Sequence, residues 1–414
     1  MSGLPDNPDR QWTPSTQSEL QRFVADNASG QKTPLYPVGG RTSLGLGYPR
    51  TAPGVTICMS GLKRTVDYPA RDMTITVEPG LTLAELANQL AVERQQLPID
   101  VPLAHRASVG GAVAKNIAGP RRFGYGTLRD YLIGVTAIDG QGRMFHAGGR
   151  VVKNVAGYDL CKLLVGSLGS LALISQLTFK LKPLPESAGT LVMGFSSFSA
   201  IDEALERLLT SAARPVALEV LNPMAARQVA TESKLPLSVD TPLLMLRVEG
   251  TEREVECQLT TLQDELRHHS PTKTGVLSAD DSARLLEVLS EYRVSSDDPL
   301  TFKANLLPSK AMQFAEWATQ SGIAVQVHAG NGIVIGHLPD NVTSAPQIEG
   351  RIESLRSFAR QRRGNLVILN CDSQWKRDLP LFGEPEPGWP LMERVKATLD
   401  PQNLLNPGIF LYGR

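Results

Sequence analysis

Apolar positions along the chain fall into short runs and helical stripes that alternate from end to end. Leu20, Phe23 and Val24 share one face of a helix predicted over Ser15 to Ala25, closed by Gly30 and stopped by Pro34. Val55 to Met59 and Met73 to Val77 are β-rich runs, after which Glu78-Pro79-Gly80 turns the chain. Thr82 and Glu85 stand in capping-box spacing ahead of a helix to about Glu93, with Leu83, Leu86, Ala87 and Leu90 inward. Ser108 can cap a short helix of small residues. Leu132 to Ile138 reads as a strand, and Asp139-Gly140 as a hairpin signal leading into Gly142 to His146. Tyr158 to Val165 reads as a short helix, and Leu171 to Leu181 alternates into a strand.

Past Pro183 the texture changes. Strands are expected at Leu191–Phe195, Val216–Leu221, Leu243–Val248, Leu300–Leu306, Ile323–Val327, Ile333–Gly336 and Leu366–Leu369. Helices are expected at Ser199–Leu209, Glu252–His268, Ala279–Glu291, Ser309–Thr319, Gln347–Arg362 and Trp389–Leu399. The alternation predicts an α+β layer with helices over one face of a mainly antiparallel sheet. No simple repeat period is visible. Twenty of the 36 glycines lie between Gly39 and Gly169, and the density falls after Pro185. That shift divides the chain into 1–186, 187–385 and a closing segment 386–414, and 414 residues are in any case too many for one typical core.

Charge and cysteine usage narrow the function classes. The formal net charge is zero and no basic stripe stands out, which disfavours nucleic acid as the main partner. No run approaches the ~20 apolar residues of a membrane span, and the polar stretch Met1 to Trp12 has no secretory h-region. A cytoplasmic protein is expected, with membrane attachment only through a partner. Cys58, Cys161, Cys257 and Cys371 stand far apart with no C-x-x-C pair. A disulfide framework, a structural zinc or an iron–sulfur cluster is therefore not expected, nor is any metal site, and most of these thiols should be buried and free.

The glycines suggest a ligand. Val38-Gly39-Gly40-Arg41-Thr42-Ser43 offers uncovered backbone amides, two hydroxyls and a fixed positive charge, the equipment for a diphosphate. Neither G-x-G-x-x-G at a strand–helix junction nor G-x-x-x-x-G-K-[ST] is present, which disfavours a Rossmann site and a P-loop. Yet glycine-rich junctions recur at 39–47, 108–119, 119–126 and 166–169. Several loops converging on one extended dinucleotide account for that pattern.

These segments resemble a known family. Pro37 to Ser43, Val77-Glu-Pro-Gly80, Ser108-Val-Gly-Gly111 with Asn116, Gly124 with Asp130, and Gly166-Ser-Leu-Gly169 with Ile174 follow the order of the FAD domain of vanillyl-alcohol oxidase/p-cresol methylhydroxylase flavoproteins. The tail from Leu399 to Ile409 is similar to the closing motif of FAD-linked oxidases of hydroxy acids. Lys153-Asn-Val-Ala-Gly157-Tyr-Asp-Leu160 is similar to the FAD-binding subunits of bacterial glycolate oxidase (glycolate dehydrogenase). The resemblance implies an α+β fold: a PCMH/VAO-type FAD domain of two α+β subdomains, an inserted ferredoxin-like α+β cap with an antiparallel sheet, and a C-terminal helix returning to the FAD domain. It implies FAD held by Val38, Gly39, Gly40, Arg41, Thr42 and Ser43 at the diphosphate and by Ser108, Val109, Gly110 and Gly111 along the diphosphate and ribityl. It places Asn116, Gly119 and Gly124 along the flavin, and Gly169 and Ile174 near the adenine. The covalent attachment residue of this family, a His or Cys, is absent from 39–47. His105 and Cys161 are the formal candidates elsewhere, and non-covalent FAD is expected.

For catalysis the candidates are weak. His328-Ala-Gly-Asn-Gly332, with His337 nearby, is a diluted echo of the family's H-x-G-D-G-N-x-H motif, with Asn331 where an Asp is expected, and reads equally as a strand–turn–strand with a satisfied His. Arg121 and Arg122 could steady a reduced flavin or hold a substrate carboxylate, or could be a solvated pair. His146 and the His268-His269 pair read as surface, while Lys153 and Asn154 share the family segment. The resemblance implies oxidation of glycolate, a 2-hydroxy acid, to glyoxylate. A second flavin subunit and an iron–sulfur subunit would then take the electrons. The alternatives are a stand-alone FAD-dependent 2-hydroxy-acid or alcohol dehydrogenase, or a flavin-binding subunit without catalysis.

Overall fold

The structure, a computed structural model, describes residues 11–149, 159–294 and 298–409. It divides into two compact units: Met1–Ala118 with Thr127–Leu184 and Lys376–Arg414, and Gly119–Gly126 with Pro185–Trp375.

The first unit opens with β1 (Gln11–Trp12), α1 (Gln17–Ser29), β2 (Leu35–Val38) and β3 (Val55–Cys58). Thr16 caps α1 by accepting the Glu19 amide, and the helix buries Leu20 and Val24. Those two side chains join Leu35, Ile57, Leu62 and Leu173 in one core, each such burial contributing about 1.5–3 kcal/mol. β3 pairs in parallel with both β1 and β2. Next come β4 (Thr65–Asp67), β5 (Thr74–Val77), α2 (Leu83–Val92), β6 (Gln95–Gln96) and α3 (Val109–Lys115). The capping box at Thr82 and Glu85 is complete in both directions. After α4 (Arg122–Tyr125), which belongs to the second unit, the chain makes α5 (Leu128–Tyr131), β7 (Leu132–Ile138), β8 (Met144–Gly148), α6 (Leu160–Leu164), β9 (Leu173–Lys180) and β10 (Lys182–Pro183). A five-stranded antiparallel sheet runs β4-β5-β9-β7-β8. The segment Lys153 to Tyr158 lies outside the described residues.

The second unit is built on an eight-stranded sheet of order β14-β11-β13-β12-β16-β17-β15-β18, antiparallel at every pairing. Its strands and helices are β11 (Ser187–Gly194), α7 (Phe198–Leu208), β12 (Ala217–Leu221), α8 (Pro223–Ser233), β13 (Leu243–Gly250), α9 (Glu252–Leu266), β14 (Lys273–Leu277), α10 (Ala279–Glu291), β15 (Leu300–Asn305), α11 (Pro308–Gln320), β16 (Ala324–His328), β17 (Ile333–His337), α12 (Ala345–Arg360) and β18 (Asn365–Cys371). The order resolves into two β-α-β-β-α-β halves of ferredoxin-like topology, β11 to β14 and β15 to β18. They join where β12 pairs with β16. α7, α9, α11 and α12 supply the paired helices of the two halves.

Helices lie on both faces of this sheet, not one as the sequence suggested. α8 and α10 cross the other face, burying Ala225, Val229, Leu285 and Leu289 against Leu221, Leu243, Met245, Ile333 and Ile335. α8 was not expected, although Asn222 caps it by accepting the Ala225 amide and Pro223 occupies its first turn. β14 was also missed. It is a mostly exposed edge strand with no buried alternation to betray it. The last helix, α13 (Trp389–Leu399), returns to the first unit. Beyond it, the Leu35 amide donates to the Leu404 carbonyl at 2.7 Å and the Asn406 amide to the Leu35 carbonyl at 2.9 Å, so the tail pairs alongside β2.

Candidate functional site

In the first unit the glycine loops meet around α3. A Cβ on Gly39 would sit 1.9 Å from the Ser108 hydroxyl oxygen, and one on Gly40 would sit 1.6 Å from the Arg106 carbonyl oxygen. Only glycine permits that approach of the 39–43 loop to the start of α3. At the other end of α3, the Gly166 amide donates to the Val113 carbonyl at 3.0 Å and the Leu168 amide to the Ala114 carbonyl at 2.7 Å. The Leu168-Gly169 turn, both residues at positive φ, is held in turn by the tail, because Asn406 Nδ2 donates to the Leu168 carbonyl at 2.7 Å. Lys396 Nζ reaches the Ser170 carbonyl at 2.7 Å, the Leu405 carbonyl at 2.8 Å and Asp400, whose carboxylate accepts the Leu404 and Leu405 amides. Loops at 39–43, 106–111, 166–170 and 400–406 thus form one connected frame.

The donor set fits FAD unequally along that frame. Among the described residues, the amides of Gly40, Thr42 and Ser43 and the hydroxyls of Thr42 and Ser43 make no hydrogen bond, which leaves a cluster of donors for an anionic diphosphate. Two carbonyls of the stretch 43–45 are already engaged: Lys115 Nζ donates to the Ser43 carbonyl and Lys376 Nζ to the Gly45 carbonyl at 2.6 Å. Arg41 turns its guanidinium to Gln11 at 2.9 Å. By contrast, the amides of Val109, Gly110 and Gly111 are spent on the Leu81 carbonyl, the Pro79 carbonyl and the Ser108 hydroxyl. Those residues shape the loop through their size. Asn116 closes α3 in the left-handed conformation, and Ile174 is buried in β9 opposite Ala137. Gly119 and Gly124 fall in the second unit, where a Cβ on Gly124 would meet the Val216 Cα at 2.7 Å. His105 is exposed, and Cys161 gives a hydrogen bond to the Ala147 carbonyl with its thiol pushed up to about 11 by burial and the Asp159 charge.

The chemistry-bearing groups of the second unit collect on one face of its sheet, the face that carries α8 and α10. Side chains alternate along each strand, so Arg247 and Glu249 of β13, Glu219 of β12, Gln326 and His328 of β16, His337 of β17, and Thr301 and Lys303 of β15 share it. Sequence reasoning named His328 and His337 but missed Glu219, Lys303 and Arg293. For Glu219 and Lys303 the signal was there: single polar residues at period two inside otherwise apolar strands that are covered on both sides.

The two arginines at the start of α4 part company. Arg121 lies 3.4 Å from Glu249, which also accepts from Arg247 at 2.8 Å and Tyr125 at 2.8 Å. Burial alone would raise the Glu249 carboxyl, but the Arg121 and Arg247 charges and these hydrogen bonds hold it below the ordinary range. Arg121 is therefore a neutralised structural cation. Arg122 instead acts on Arg293 and Lys303, two half-buried cations that no carboxylate among the described residues pairs with. Burial, then the neighbouring charge of Arg122, lowers Arg293 to about 10. Burial, then Arg293 and Arg122, lowers Lys303 to about 8. Arg293 and Lys303 thus each lie near at least one other cation, which disfavours their charged forms.

The two histidines differ in what they leave open. His337 uses both ring nitrogens, Nδ1 on Asp298 at 2.6 Å and Nε2 on the Tyr292 carbonyl at 2.8 Å. His328 places Nδ1 2.7 Å from Glu219 Oε1, while Gln326 Nε2 donates to Glu219 Oε2 at 2.7 Å. No described residue bonds to His328 Nε2. The strand–turn–strand expected around His328 is present as β16, a 3-10 turn at Ala329–Asn331 and β17. Asn331 Oδ1 is buried there without a partner among the described residues. His146 is an exposed side chain held by Thr136, and His268 is exposed beyond α9.

Comparison with known proteins agrees with this frame. The FAD binding domain family matches residues 8–148, and the C-terminal domain family of FAD linked oxidases matches residues 184–298 and 382–409. The chain is 24% identical over 423 residues to glycolate oxidase subunit GlcD of Bacillus subtilis, covering 97% of this chain and 88% of that one. It is 36% identical over 182 residues to glycolate oxidase subunit GlcE of Escherichia coli, covering 44% of this chain and 51% of that one. The crystal structure of p-cresol methylhydroxylase with substrate bound superposes with a TM-score of 0.73 at 15% identity, covering 96% of this chain and 88% of that one. The chain carries an FAD binding domain and an FAD-linked oxidase C-terminal domain and is an FAD-dependent oxidoreductase with a PCMH-type fold.

Proposed function

We propose that this protein oxidises a small 2-hydroxy acid, with glycolate to glyoxylate as the reference reaction, and that it serves as the FAD-binding subunit of a glycolate-oxidase type complex. The observation that carries the substrate class is the pair Arg293 and Lys303, crowded by the charge of Arg122. A 2-hydroxy acid presents one carboxylate beside the carbon to be oxidised, and Arg293 and Lys303 supply positive charge without a counter-ion among the described residues. FAD, when bound, supplies the hydride acceptor. The residues that would hold it are Gly40, Thr42 and Ser43 at the diphosphate, on a loop shaped by Gly39 and Ser108. The chain's own work is to anchor the carboxylate, orient the C2–H bond and accept the hydroxyl proton.

Similarity to two glycolate oxidase subunits supports a multi-subunit setting, with electrons leaving to a second flavin subunit and an iron–sulfur subunit. A second reading is a dehydrogenase in the role of GlcD or acting alone. It is favoured by the full-length similarity to GlcD, since the match to GlcE stops at 182 residues.

The test is rapid mixing of the FAD-loaded protein with glycolate, D-lactate and D-2-hydroxyglutarate. Bleaching of the flavin band is expected for at least one of them. A flavin that stays oxidised with every acid in the panel overturns the reading and favours a flavin-binding subunit without catalysis. Co-purification from the native cell with a second flavoprotein and an iron–sulfur chain separates the complex from the stand-alone reading.

A further inference from the structure

We propose that Lys115 and Lys376 are positioning residues for the cofactor: together they lock the Ser43–Leu44 peptide so that the Leu44 amide joins the donors assigned to the FAD diphosphate. This rests on the reading that Gly40, Thr42 and Ser43 hold that diphosphate, and is independent of which acid is oxidised.

Both lysines act within the first unit. Lys115 is the last residue of α3, and its Nζ donates to the Ser43 carbonyl. Lys376 is 8% exposed, opens the segment that returns to this unit, and donates through Nζ to the Gly45 carbonyl at 2.6 Å. One peptide joins the two contacts. The Gly45 carbonyl and the Leu46 amide belong to the same planar trans unit, in which C=O and N–H point in opposite directions. Lys376 on the carbonyl side therefore turns the Leu46 N–H away from itself, and that N–H donates to the Ser43 carbonyl at 3.3 Å. The Ser43 oxygen thus takes two donors, the Leu46 amide and the Lys115 ammonium. The same rule applies one peptide earlier: with the Ser43 oxygen held, the Leu44 N–H points the other way. No described residue accepts it. Thr42, Ser43 and Leu44 then offer three successive amides, the composition of an anion-binding concavity.

Ammonium groups suit this task. A phosphate beside a turn meets carbonyl oxygens as well as amides, and an oxygen that swings toward it repels it. A charge-assisted bond holds each oxygen away more firmly than a neutral one. The rest of the stretch is pinned on the same side. The Tyr48 amide donates to the Ile409 carbonyl at 3.1 Å, and the Leu381 amide to the Tyr48 hydroxyl at 3.1 Å. A Cβ on Gly47, at φ +89°, would meet the Ile409 carbonyl oxygen at 2.6 Å. Residues 43–48 are therefore anchored through their carbonyls and their far end, while the amides at 40 and 42–44 are left for a ligand.

The experiment is titration of FAD into the full-length apo-protein, followed by flavin fluorescence, for wild type, Lys115→Met, Lys376→Met and the double variant. Methionine keeps an unbranched apolar stem and removes the donor and its charge. Inorganic pyrophosphate, a diphosphate without either ring system, is the competing probe. Each single variant, folded by circular dichroism, should bind FAD roughly ten- to hundredfold more weakly, the loss of one charge-assisted hydrogen bond. The inhibition constant of pyrophosphate should rise by the same factor, a match that a lysine acting on the flavin or adenine end would not give. The double variant should lose less than the product of the two single losses, because both lysines fix the same peptide. Lys115→Arg keeps a charged donor and should hold FAD better than Lys115→Met. Folded methionine variants with wild-type FAD affinity overturn the proposal. FAD losses that pyrophosphate does not share, losses that multiply in the double variant, or an arginine variant as weak as the methionine one overturn it equally. A wild type that binds FAD without competition from pyrophosphate overturns the diphosphate assignment beneath it and leaves 2-hydroxy-acid oxidation standing.

Discussion

At the scale of single residues, charge decides which groups are free to act. Arg121 and Arg122 are neighbours, yet one is consumed by Glu249 and the other faces two more cations. Lys303 shows the consequence. Its folded pKa of about 8 lies below the ordinary 10.5, so its charged form costs the fold stability at pH below about 8, and that cost fades as pH rises toward 10.5. A bound carboxylate removes the same cost while Lys303 is charged. Substrate affinity should therefore weaken as pH rises through about 8, read as a KM that climbs on the alkaline side. Lys303→Met should raise KM roughly ten- to hundredfold at about pH 7 and flatten that climb, the loss expected for one charge-assisted contact. An unchanged alkaline limb in the variant would show that another group titrates. Glu249→Gln is a contrasting case. It leaves Arg121 and Arg247 without their shared buried partner and should lower stability by about 3–5 kcal/mol in urea unfolding. Covalent chemistry at Cys161 is disfavoured by the same reasoning, since its thiol titrates only near 11. Acid precipitation should leave the yellow colour in the supernatant.

At the scale of elements, the secondary structure was legible wherever a local rule operated alone. The boxes at Thr82–Glu85 and Thr251–Glu254 mark helix starts that the structure reproduces at Leu83 and Glu252. The Asn222–Pro223 start obeys an equally local rule. What could not be read was association across sequence. Glu219 and His328 come together only because β12 and β16 are the equivalent strands of two ferredoxin-like halves that abut. No repeat of residues announces those halves; the recurrence lies in topology. The glycine loops sit between these cases. Their content suggested a diphosphate, but only the structure separates amides left open at Gly40, Thr42 and Ser43 from amides already bonded at Val109 to Gly111. Gly40→Ala should abolish flavin uptake, measured as the ratio of flavin to protein absorbance, because the added Cβ meets the Arg106 backbone and not a side chain that could yield. Asp400→Ala should act at a distance on the same ratio, since Asp400 anchors the turn that holds Asn406 against Leu168. Retention of full flavin content by both variants would show that the frame around α3 is not what orders the cofactor.

At the scale of the whole molecule, no helix among the described residues is long and apolar enough to cross a membrane. The two units have separate cores, and the loops assigned to the diphosphate belong to the first. Flavin should therefore stabilise that unit by mass action, by about 2.7 kcal/mol at a free concentration roughly one hundred times Kd. Differential scanning of apo and FAD-loaded protein checks this as a rise in the transition that the loaded unit contributes. The pairing of residues 404–406 alongside β2 carries a further consequence for how the polypeptide is made. The stretch that precedes the diphosphate loop is translated early, while the strand partner that completes it emerges hundreds of codons later. Between those moments the ribosome extrudes the whole eight-stranded unit, which has a core of its own. A chain truncated before Asp400 and released should thus display a folded, protease-resistant second unit and a cofactor site that lacks its edge.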